Sequence, residues 1–401
     1  MRSGEINMND QDKNLHADDG RMGVLLLISG LTFGGAERQV IELANKLDPR
    51  RYRVTVCALT DDNPMASNLR TDLVVIKKRS KFDIGVVPQL RRLVAERRID
   101  VIHTFLNDAN IAGRLCYRRG SRPVIISSER NSNYEESLLR RVVERISRPC
   151  MDLMVANSMA GRQFCIDARK MREDQVMVVH NGVDSVRFSQ NNEARSLFRK
   201  EIGVDDSDVL VGLIGNFKAQ KNHHIFVLMA EALAAELPNV RFLVVGNSPE
   251  GKLEENPFYL QTVAAAESPE LKGRMTILTA RSDMDRVHNA CDVTVLPSSR
   301  EGTPNVMLES MACATPVVAT DVADNAFVLR DGLDGRVVTL SDAETTAKAL
   351  ADAVRELLLD TEKRSRMGAS ARGRVEAEFS LHRLAEKTGK IYGDLLGSPQ
   401  T

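Results

Sequence analysis

The stretch LPSSREGTPNVMLESMACATPVVAT, residues Leu296–Thr320, decides the fold class of this sequence. Its residue types predict a strand, a turn rich in Gly and Pro, a helix, a second turn and a second strand. The first strand ends at Leu296 and the next begins at Val317. Asn305 is expected to cap a helix that runs to about Cys313, because Asn is a preferred N-cap residue. A strand, a helix and a strand in this order predict a parallel α/β fold.

Two carboxylates in this stretch predict a polar ligand site. Glu301 lies in the turn, and Glu309 shares a helix face with Asn305 because the two are four residues apart. A Gly- and Pro-rich turn before a helix N-terminus favours anions, since N–H groups and the positive end of the helix dipole point outward. Carboxylates repel phosphate and bind hydroxyl groups, so the combination indicates a nucleotide sugar. The alternative is a surface helix with two solvated glutamates.

The whole string carries a family resemblance. The pattern E-G-T-P-N-x-x-L-E-x-M-A-x-x-x-P-V-V-A resembles the E-x7-E signature of the retaining glycosyltransferases of family 4. The resemblance implies an α/β fold of the GT-B class, in which two Rossmann-like doubly wound domains face a cleft. It implies that Glu301 is catalytic and faces the donor sugar, and that Glu309 binds the donor ribose. The donor-binding residues that it implies in this stretch are Gly302, Thr303, Pro304, Asn305 and Glu309.

Composition limits the other classes of protein. A chain of 401 residues normally forms two or three domains. The chain is 43% hydrophobic and 4% aromatic, which suits an α/β protein with aliphatic cores. The net charge of zero gives no case for nucleic acid. Residues 1–185 nevertheless carry about 30 basic and 24 acidic side chains, which indicates an anionic partner such as a lipid surface or a pyrophosphate-bearing acceptor.

Cysteines and hydropathy predict the cellular location. Six cysteines are scattered without a C-x-x-C pair, which favours reduced, buried thiols in a cytosolic protein. Residues 1–20 are polar and predict a disordered tail. The apolar run Val24–Ile28 is too short for a signal peptide or a membrane span. We expect a soluble cytoplasmic protein that can contact the cytoplasmic membrane face through its basic N-terminal domain.

Strand and helix patterns alternate in two series. The first covers residues 21–185 and forms the predicted acceptor-side domain. Residues 185–205 are polar and without periodicity, which predicts a linker. The second series, residues 205–375, forms the predicted nucleotide-sugar domain, and residues 376–401 form a helix expected to pack back on the N-terminal domain. One large sheet is the alternative, but the break and restart argue against it.

The first glycine loop contains Gly34 and Gly35, between the first strand and the first helix. Two glycines let a phosphate approach the backbone closely. The spacing is not G-x-G-x-x-G, which argues against a nicotinamide cofactor. From these residues alone, an ordinary tight turn is an equal alternative. The string TFGGAE resembles the family 4 loop that faces the donor diphosphate, and Glu37 is predicted to cap the helix.

The string DVIHTF, Asp100–Phe105, resembles the D-x-x-H strand end of the family. His103 is therefore a candidate catalytic residue. Many relatives carry a second His two residues later, where this chain has Phe105. A structural His with both ring nitrogens bonded is the alternative for His103. Asn107 and Asn110 are candidates for lining an acceptor pocket.

The basic half contains two further candidates. Arg130 can meet an anionic acceptor, or it can be a solvated loop residue. The predicted helix Ser137–Arg148 combines apolar residues with several arginines. Basic amphipathic helices can lie on anionic membranes. The commoner alternative is a helix that packs its apolar face on its own sheet.

The second glycine loop, Gly215–Asn222, has the sequence GNFKAQKN. Two lysines three residues apart beside a helix start can clamp a diphosphate. The loop resembles the family motif G-R-L-x-x-x-K-G, and Lys221 falls on the motif lysine. Asn216 replaces the motif arginine, and we hypothesise that Lys218 supplies the missing charge.

Two D-x-D strings, residues 206–208 and 283–285, are predicted to be structural, although such strings hold metal–diphosphate in GT-A enzymes. No metal or other cofactor is expected. Thr279 stands where the family usually has a Gly that contacts the base, so UDP is chosen on family frequency.

The resemblance implies a retaining enzyme that transfers a hexose or N-acetylhexosamine from a nucleotide sugar to a saccharide or lipid-linked acceptor in surface polysaccharide biosynthesis. Lys221, Lys218 and the loop at Gly34 are implied to stabilise the leaving diphosphate. A GT-B-shaped nucleotide-sugar epimerase and a non-catalytic nucleotide-sugar-binding module are the alternatives.

Overall fold

The computed structural model describes residues 20–80, 83–130, 138–248 and 252–397. Apart from Gly20, the tail predicted to be disordered lies outside these residues. The chain divides into two compact units. The first unit comprises the chain up to Ala156, Cys165–Met177 and the chain from Ala385 onward; the second comprises Asn157–Phe164 and Val178–Leu384.

The first unit is built on a parallel sheet, as the alternating pattern predicts. In the described residues, its strands are β1 (Met22–Ile28), β2 (Tyr52–Ala58), β3 (Asp72–Val75), β4 (Val101–Phe105), β5 (Val124–Glu129), β6 (Leu153–Ala156) and β7 (Val176–Val178). The helices up to residue 167 are α1 (Gly35–Lys46), α2 (Val86–Glu96), α3 (Asn107–Cys116), α4 (Leu138–Ser147) and α5 (Met159–Asp167), of which α5 begins in the second unit. The strand order is β3-β2-β1-β4-β5-β6-β7.

The strand β1 lies at the centre of the sheet of this unit and forms part of its core. Its residues Val24–Ile28 are fully buried, as expected for an apolar run in a parallel sheet covered on both faces. It pairs in parallel with β2 on one side and with β4 on the other. The strand order therefore reverses between β1 and β4, and open α/β sheets bind ligands beside such a reversal, at the carboxyl ends of the strands.

The second unit repeats this architecture. In the described residues, its strands are β8 (Val209–Ile214), β9 (Val240–Val245), β10 (Met275–Leu278), β11 (Val293–Leu296), β12 (Val317–Thr320) and β13 (Gly335–Val338). The remaining α-helices in the described residues are α6 (Asn192–Glu201), α7 (His223–Glu236), α8 (Pro257–Ala266), α9 (Met284–Ala290), α10 (Asn305–Ala312), α11 (Asn325–Val328), α12 (Ala343–Leu359), α13 (Thr361–Arg374) and α14 (Leu381–Leu396), and α14 belongs to the first unit from Ala385 onward. The strand order β10-β9-β8-β11-β12-β13 reverses between β8 and β11. Two separate sheets exclude the alternative of one large sheet.

The segment expected to be an aperiodic linker, residues 185–205, instead contains the helix α6 and clusters with the second unit. The helix is fixed by charge, which an apolar pattern does not reveal. Arg199 is buried, and its Nη1 lies 3.3 Å from Asp292 Oδ2. Arg195 Nη2 lies 2.9 Å from the other oxygen of Asp292, and Asn191 caps the helix by accepting a hydrogen bond from Ala194 N.

The six cysteines are free thiols; five of them are buried, as predicted, and Cys150 is half-buried. Burial raises the pKa of Cys57, Cys116, Cys165 and Cys291 to about 12, so these thiols stay protonated. Among the described helices, none has the length and apolarity needed to cross a bilayer.

Candidate active site

The turn between β11 and α10 in the second unit carries the E-x7-E string. The helix begins at Asn305, and Pro304 occupies the N-cap position without a side-chain cap. The prediction that Asn305 caps the helix is therefore wrong. The Asn305 side chain has a tertiary role instead, because its Oδ1 accepts a hydrogen bond of 2.8 Å from Asn181 Nδ2.

The loop after β8 and the loop after β11 are joined, because their strands are neighbours at the reversal of strand order. Lys221 Nζ lies 2.5 Å from Glu301 Oε1. Ser299 N donates to the Gln220 carbonyl oxygen at 2.8 Å, and Asn222 Nδ2 donates to the carbonyl oxygen of Pro297 at 2.9 Å. The structure thus brings two predicted site residues, Lys221 and Glu301, into direct contact at the carboxyl edge of this sheet.

The two carboxylates of the signature are not solvated. The Glu301 side chain is 8% exposed and the Lys221 side chain 18% exposed. Glu309 is 4% exposed, and its Oε2 lies 3.1 Å from Nε2 of the buried His288 on α9, a hydrogen bond in which the ring N–H donates. The alternative of a surface helix with two solvated glutamates is therefore wrong. A buried carboxylate is tolerated when it has such partners.

The backbone around Gly302 is held by two asparagines that sequence reasoning did not identify as site residues. The Thr303 hydroxyl donates to the carbonyl oxygen of Asn157, and Asn181 Nδ2 donates to the Thr303 carbonyl oxygen at 2.8 Å. A Cβ atom on Gly302 would lie 2.6 Å from Asn157 Oδ1, so any larger residue here would displace the Asn157 amide. Asn181 follows strand β7 in an Asn-Gly pair, which was a sequence signal for the turn but not for this role.

A buried carboxylate fixes the segments that carry these asparagines. Asp324 accepts hydrogen bonds from Met159 N at 2.7 Å, Ala160 N at 3.1 Å and His180 Nε2 at 2.8 Å. Burial alone would raise the pKa of Asp324, but these hydrogen bonds hold it below its usual value. The residues beside Asn157 and Asn181 are therefore tied to one charged group.

The second glycine loop places its two lysines differently. Lys218 is exposed, whereas Lys221 is engaged by Glu301. Asn216, which stands at the position of the motif arginine, accepts a weak hydrogen bond of 3.3 Å from Asn247 N in the loop after β9. Within the described residues, Lys218 makes no ion pair, so its charge remains available to a ligand.

In the first unit, His103 is the middle residue of strand β4 and is 2% exposed. Its Nδ1 lies 2.8 Å from the Tyr392 hydroxyl, and its Nε2 lies 2.8 Å from the Ser128 hydroxyl. Burial, followed by the charge of Arg130, holds the pKa of His103 well below its usual value, so the ring is neutral. Both ring nitrogens are bonded within the unit, which favours the structural interpretation over the catalytic one.

The other predicted residues of the first unit are near strand ends. Gly34 is the N-cap of α1 in an extended conformation, with Gly35 as the first helical residue, and a Cβ atom on Gly34 would lie 2.2 Å from Glu37 Oε2. Asn107 begins α3. The guanidinium of Arg130 lies 5.1 Å from the ring centre of Phe105, and burial lowers the pKa of Arg130 to about 10.

Asn110 and the two D-x-D strings make contacts within the protein. Asn110 is buried, and its Nδ2 donates to the Ser128 carbonyl oxygen at 3.0 Å, so the prediction that it lines a pocket is wrong. In the D-x-D strings, Asp283 pairs with Arg281, and Asp208 pairs with Arg241 at 3.2 Å. Among the described residues, no group of three or more His, Cys, Asp or Glu is arranged to hold a metal ion.

Comparison with known proteins gives the family. The family model "Glycosyl transferases group 1" matches residues 194–374, and the model "Glycosyltransferase Family 4" matches residues 33–187. A D-inositol 3-phosphate glycosyltransferase of Kineococcus radiotolerans is 30% identical over 317 residues, which are 74% of this chain and 72% of that protein. The chain therefore belongs to the group 1 glycosyltransferases, which include family 4.

Two other proteins extend the comparison. The UDP-Gal:alpha-D-GlcNAc-diphosphoundecaprenol alpha-1,3-galactosyltransferase of Escherichia coli is 23% identical over 323 residues, covering 78% of this chain and 80% of that protein. The crystal structure of Anabaena HepE in complex with UDP-glucose superposes with a TM-score of 0.81 at 22% identity, covering 93% of this chain and 100% of that chain. The fold is of the GT-B class, and the chain is a glycosyltransferase that takes its sugar from a nucleotide sugar.

Proposed function

We propose that this enzyme transfers a hexose or N-acetylhexosamine from a UDP-sugar, with retention at the anomeric carbon and without a metal ion, to a saccharide or lipid-linked acceptor in surface polysaccharide biosynthesis. The ion pair between Lys221 and Glu301 is the observation that carries the proposal. It lies at the reversal of strand order in the second unit, the place where α/β sheets bind nucleotides. The relatives support the donor and acceptor classes, since one acts on a lipid diphosphate and another was crystallised with UDP-glucose.

The pair has the properties that a leaving diphosphate requires. Glycosyl transfer places negative charge on the departing diphosphate, and preorganised cations and N–H groups stabilise that charge. Lys221 is held in position by Glu301 before the donor arrives, so little reorganisation is needed. In our proposal, the Lys221 ammonium donates a hydrogen bond to the donor diphosphate, and the Glu301 carboxylate accepts hydrogen bonds from the sugar hydroxyls.

The remaining residues of the signature are assigned to donor binding. Glu309 is proposed to accept hydrogen bonds from the ribose hydroxyls, with His288 orienting its carboxylate. The loop from Gly302 to Asn305 supplies backbone N–H groups beside the sugar, and its hydrogen bonds to Asn157 and Asn181 fix its shape. In this mechanism the acceptor attacks on the face that the diphosphate leaves, so no protein nucleophile is required.

Nucleotide release, measured with and without acceptor, tests the class of reaction. We expect rapid UDP release from a UDP-hexose only when an acceptor such as a lipid-linked saccharide diphosphate is present. Conversion of the donor sugar without acceptor would indicate the epimerase, and donor binding without any product would indicate the binding module. The configuration of the new glycosidic bond, measured by proton NMR, should match that of the donor, and inversion would contradict the proposed mechanism.

A thermal-shift panel of UDP-, GDP- and ADP-sugars tests the base. A ligand that binds only the folded state stabilises it by RT ln(1 + [L]/Kd), about 2.7 kcal/mol at a hundredfold excess over Kd. We expect the UDP-sugars to raise the midpoint most. If only GDP-sugars raised the midpoint of thermal unfolding, the assignment of uridine would be wrong. The transferase activity would still be tested separately by the nucleotide-release assay.

A further inference from the structure

The helix α4 turns its apolar residues toward solvent. The side chains of Leu138, Leu139, Val142 and Ile146 belong to residues that are 74%, 57%, 51% and 71% exposed. Leu138, Val142 and Ile146 are spaced by four residues, so they form one stripe along the helix. The expectation that this helix packs its apolar face on its own sheet is therefore wrong. We call this set of four residues the α4 stripe.

The opposite face of α4 is polar and buried. Glu144 and Ser147 are each 2% exposed. Glu144 Oε2 lies 2.6 Å from Nη1 of Arg114, a fully buried residue on α3. Burial alone would raise the pKa of Glu144, but Arg114 and then Arg169 hold it below its usual value, so the carboxylate is charged. Turning the helix to bury the α4 stripe would leave Arg114 without this counter-charge, which fixes the stripe outward.

The charges beside the stripe identify the occupant. Arg141 and Arg145 are exposed, and neither has an ion-pair partner within the described residues. An apolar stripe next to exposed arginines matches an anionic lipid surface, in which acyl chains lie beneath phosphate headgroups. A second copy of the chain fits less well, since an isologous contact along the helix would bring these arginines toward their own copies.

We propose that α4 docks the enzyme on membranes that contain anionic phospholipids. The ten-residue helix lies in the plane of the interface; the α4 stripe enters the boundary between headgroups and acyl chains, and Arg141 and Arg145 bind lipid phosphates. The inference deepens the proposed function by giving a lipid-linked acceptor a surface on which to meet the enzyme. Its test measures vesicle binding and not transfer, so failure of this inference is distinguishable from failure of the proposed function.

Co-sedimentation with vesicles tests the stripe. We expect the full chain to pellet with phosphatidylcholine vesicles that contain about 30% phosphatidylglycerol. The double variant Leu138→Ser/Ile146→Ser should weaken vesicle binding by about a hundredfold, since each buried aliphatic side chain contributes about tenfold or more. The matched control is Val186→Ser/Leu359→Ser, which replaces two exposed apolar residues of the second unit and should change binding less than about twofold.

The arginines give an independent variant. Arg141→Gln/Arg145→Gln should weaken binding by about 30-fold, because each basic side chain near an anionic surface contributes about fivefold. This variant leaves the apolar residues in place, so it tests membrane binding by α4 even if the serine variant does not fold. Phosphatidylcholine vesicles without anionic lipid, and higher salt, should both weaken binding by the unmodified protein.

Three results would overturn the proposal. The unmodified protein could stay in the supernatant with anionic vesicles at low salt. The serine and glutamine variants could bind as strongly as the unmodified protein. Finally, sedimentation velocity without lipid could show a dimer that Leu138→Ser/Ile146→Ser abolishes, which would assign the stripe to a second copy of the chain.

Discussion

His103 in the first unit and Glu301 in the second are both family-motif residues beside a reversal of strand order, yet their surroundings differ. His103 belongs to strand β4 itself, and its two ring nitrogens are bonded to Tyr392 and Ser128. Glu301 lies in a loop five residues beyond the end of β11 and pairs with the amine of Lys221. The first residue is hydrogen-bonded to two neutral hydroxyl groups, whereas the second holds a cation that an anionic ligand can share.

The difference separates a structural role from a chemical one. To contact substrate, the neutral, buried imidazole of His103 would have to break its hydrogen bonds to two hydroxyl groups without gaining a stronger partner. A lysine–carboxylate pair on two neighbouring loops can exchange its partners favourably, because a diphosphate attracts the lysine and sugar hydroxyls donate hydrogen bonds to the carboxylate. We therefore propose that the loops of the second unit carry the chemistry, and the following variants test that proposal.

Glu301→Ala is expected to have the largest effect on activity. Loss of one preorganised polar group at the reacting centre typically costs about 10²–10³ in kcat, so transfer should fall below detection in ordinary assays. Acceptor-dependent UDP release measures it, and circular dichroism should show an intact fold. Glu267→Ala is the matched control, because Glu267 forms an exposed ion pair with Lys272 at 3.0 Å. Full activity of Glu301→Ala would refute the catalytic assignment.

Asn181→Ala is expected to have the next largest effect, through the shape of the loop. It removes two hydrogen bonds of 2.8 Å to Thr303 and Asn305, and a small displacement at a reacting centre can cost one to two orders of magnitude in rate. We expect kcat/KM to fall by about tenfold or more, with most of the loss in kcat. Asn239→Ala removes a similar hydrogen bond, to Ser207 at 2.9 Å, away from these loops. Equal kinetics for the two variants would contradict the positioning role.

Lys218→Ala should weaken donor binding by a smaller factor. Lys218 is exposed, so solvent and salt screen its charge, and we expect Kd to rise by about fivefold. Calorimetry with a UDP-sugar at low and high salt measures the change. Unaltered affinity at low salt would remove the hypothesis that Lys218 replaces the motif arginine.

His103→Gln should have the smallest effect on donor binding, although it lowers stability. The substitution leaves buried hydroxyl groups with poorer partners, which typically costs about 1–3 kcal/mol in the free energy of unfolding. The donor-induced thermal shift should remain within error of the unmodified protein. Loss of catalysis with unchanged stability would instead restore His103 as a catalytic residue.

The same histidine gives a pH dependence of stability. In the folded state the pKa of His103 lies well below the usual histidine value of 6.5, so the unfolded chain binds more protons as pH falls through that value. The contribution of His103 to stability should therefore be constant above about pH 7 and should decrease below 6.5, where the unfolded state gains a proton. Burial also lowers the pKa of His223, to about 4, so His103→Gln should reduce the slope without abolishing it. Denaturant midpoints from pH 5 to 8 measure this slope, and an unchanged slope in the variant would contradict the assignment.

Apolar patterns in the sequence predicted most strands and helices, because both sheets are built from buried aliphatic runs. They did not predict helix α6, and they predicted the wrong buried face for helix α4, for one physical reason. Each helix is held by a buried ion pair between an arginine and a carboxylate: Arg199 with Asp292 for α6, and Arg114 with Glu144 for α4. In each pair the two residues are far apart in sequence, so no local period reveals that the polar face points inward.

The candidate site was predictable to a similar extent. Motif spacing predicts Glu301, Glu309 and Lys221 as site residues, and the structure brings Lys221 and Glu301 into contact because the loops that carry them follow neighbouring strands. Their partners were not found, because His288 reaches Glu309 from a different helix and Asn181 reaches Thr303 across 122 residues of sequence. Such contacts depend on packing of whole elements, which the residue pattern of a single chain does not specify.

Calorimetric titration of UDP and of uridine into the unmodified enzyme, Lys221→Met and Glu301→Gln tests the central claim most directly, namely that the paired lysine grips the donor diphosphate. A charge-assisted contact of this kind contributes about 1.5–3 kcal/mol, so Lys221→Met should weaken UDP binding by about ten- to hundredfold and leave uridine binding unchanged. Glu301→Gln, which frees the lysine, should retain UDP binding. If Lys221→Met binds UDP as tightly as the unmodified enzyme, the loops of the second unit do not hold the diphosphate in the way proposed.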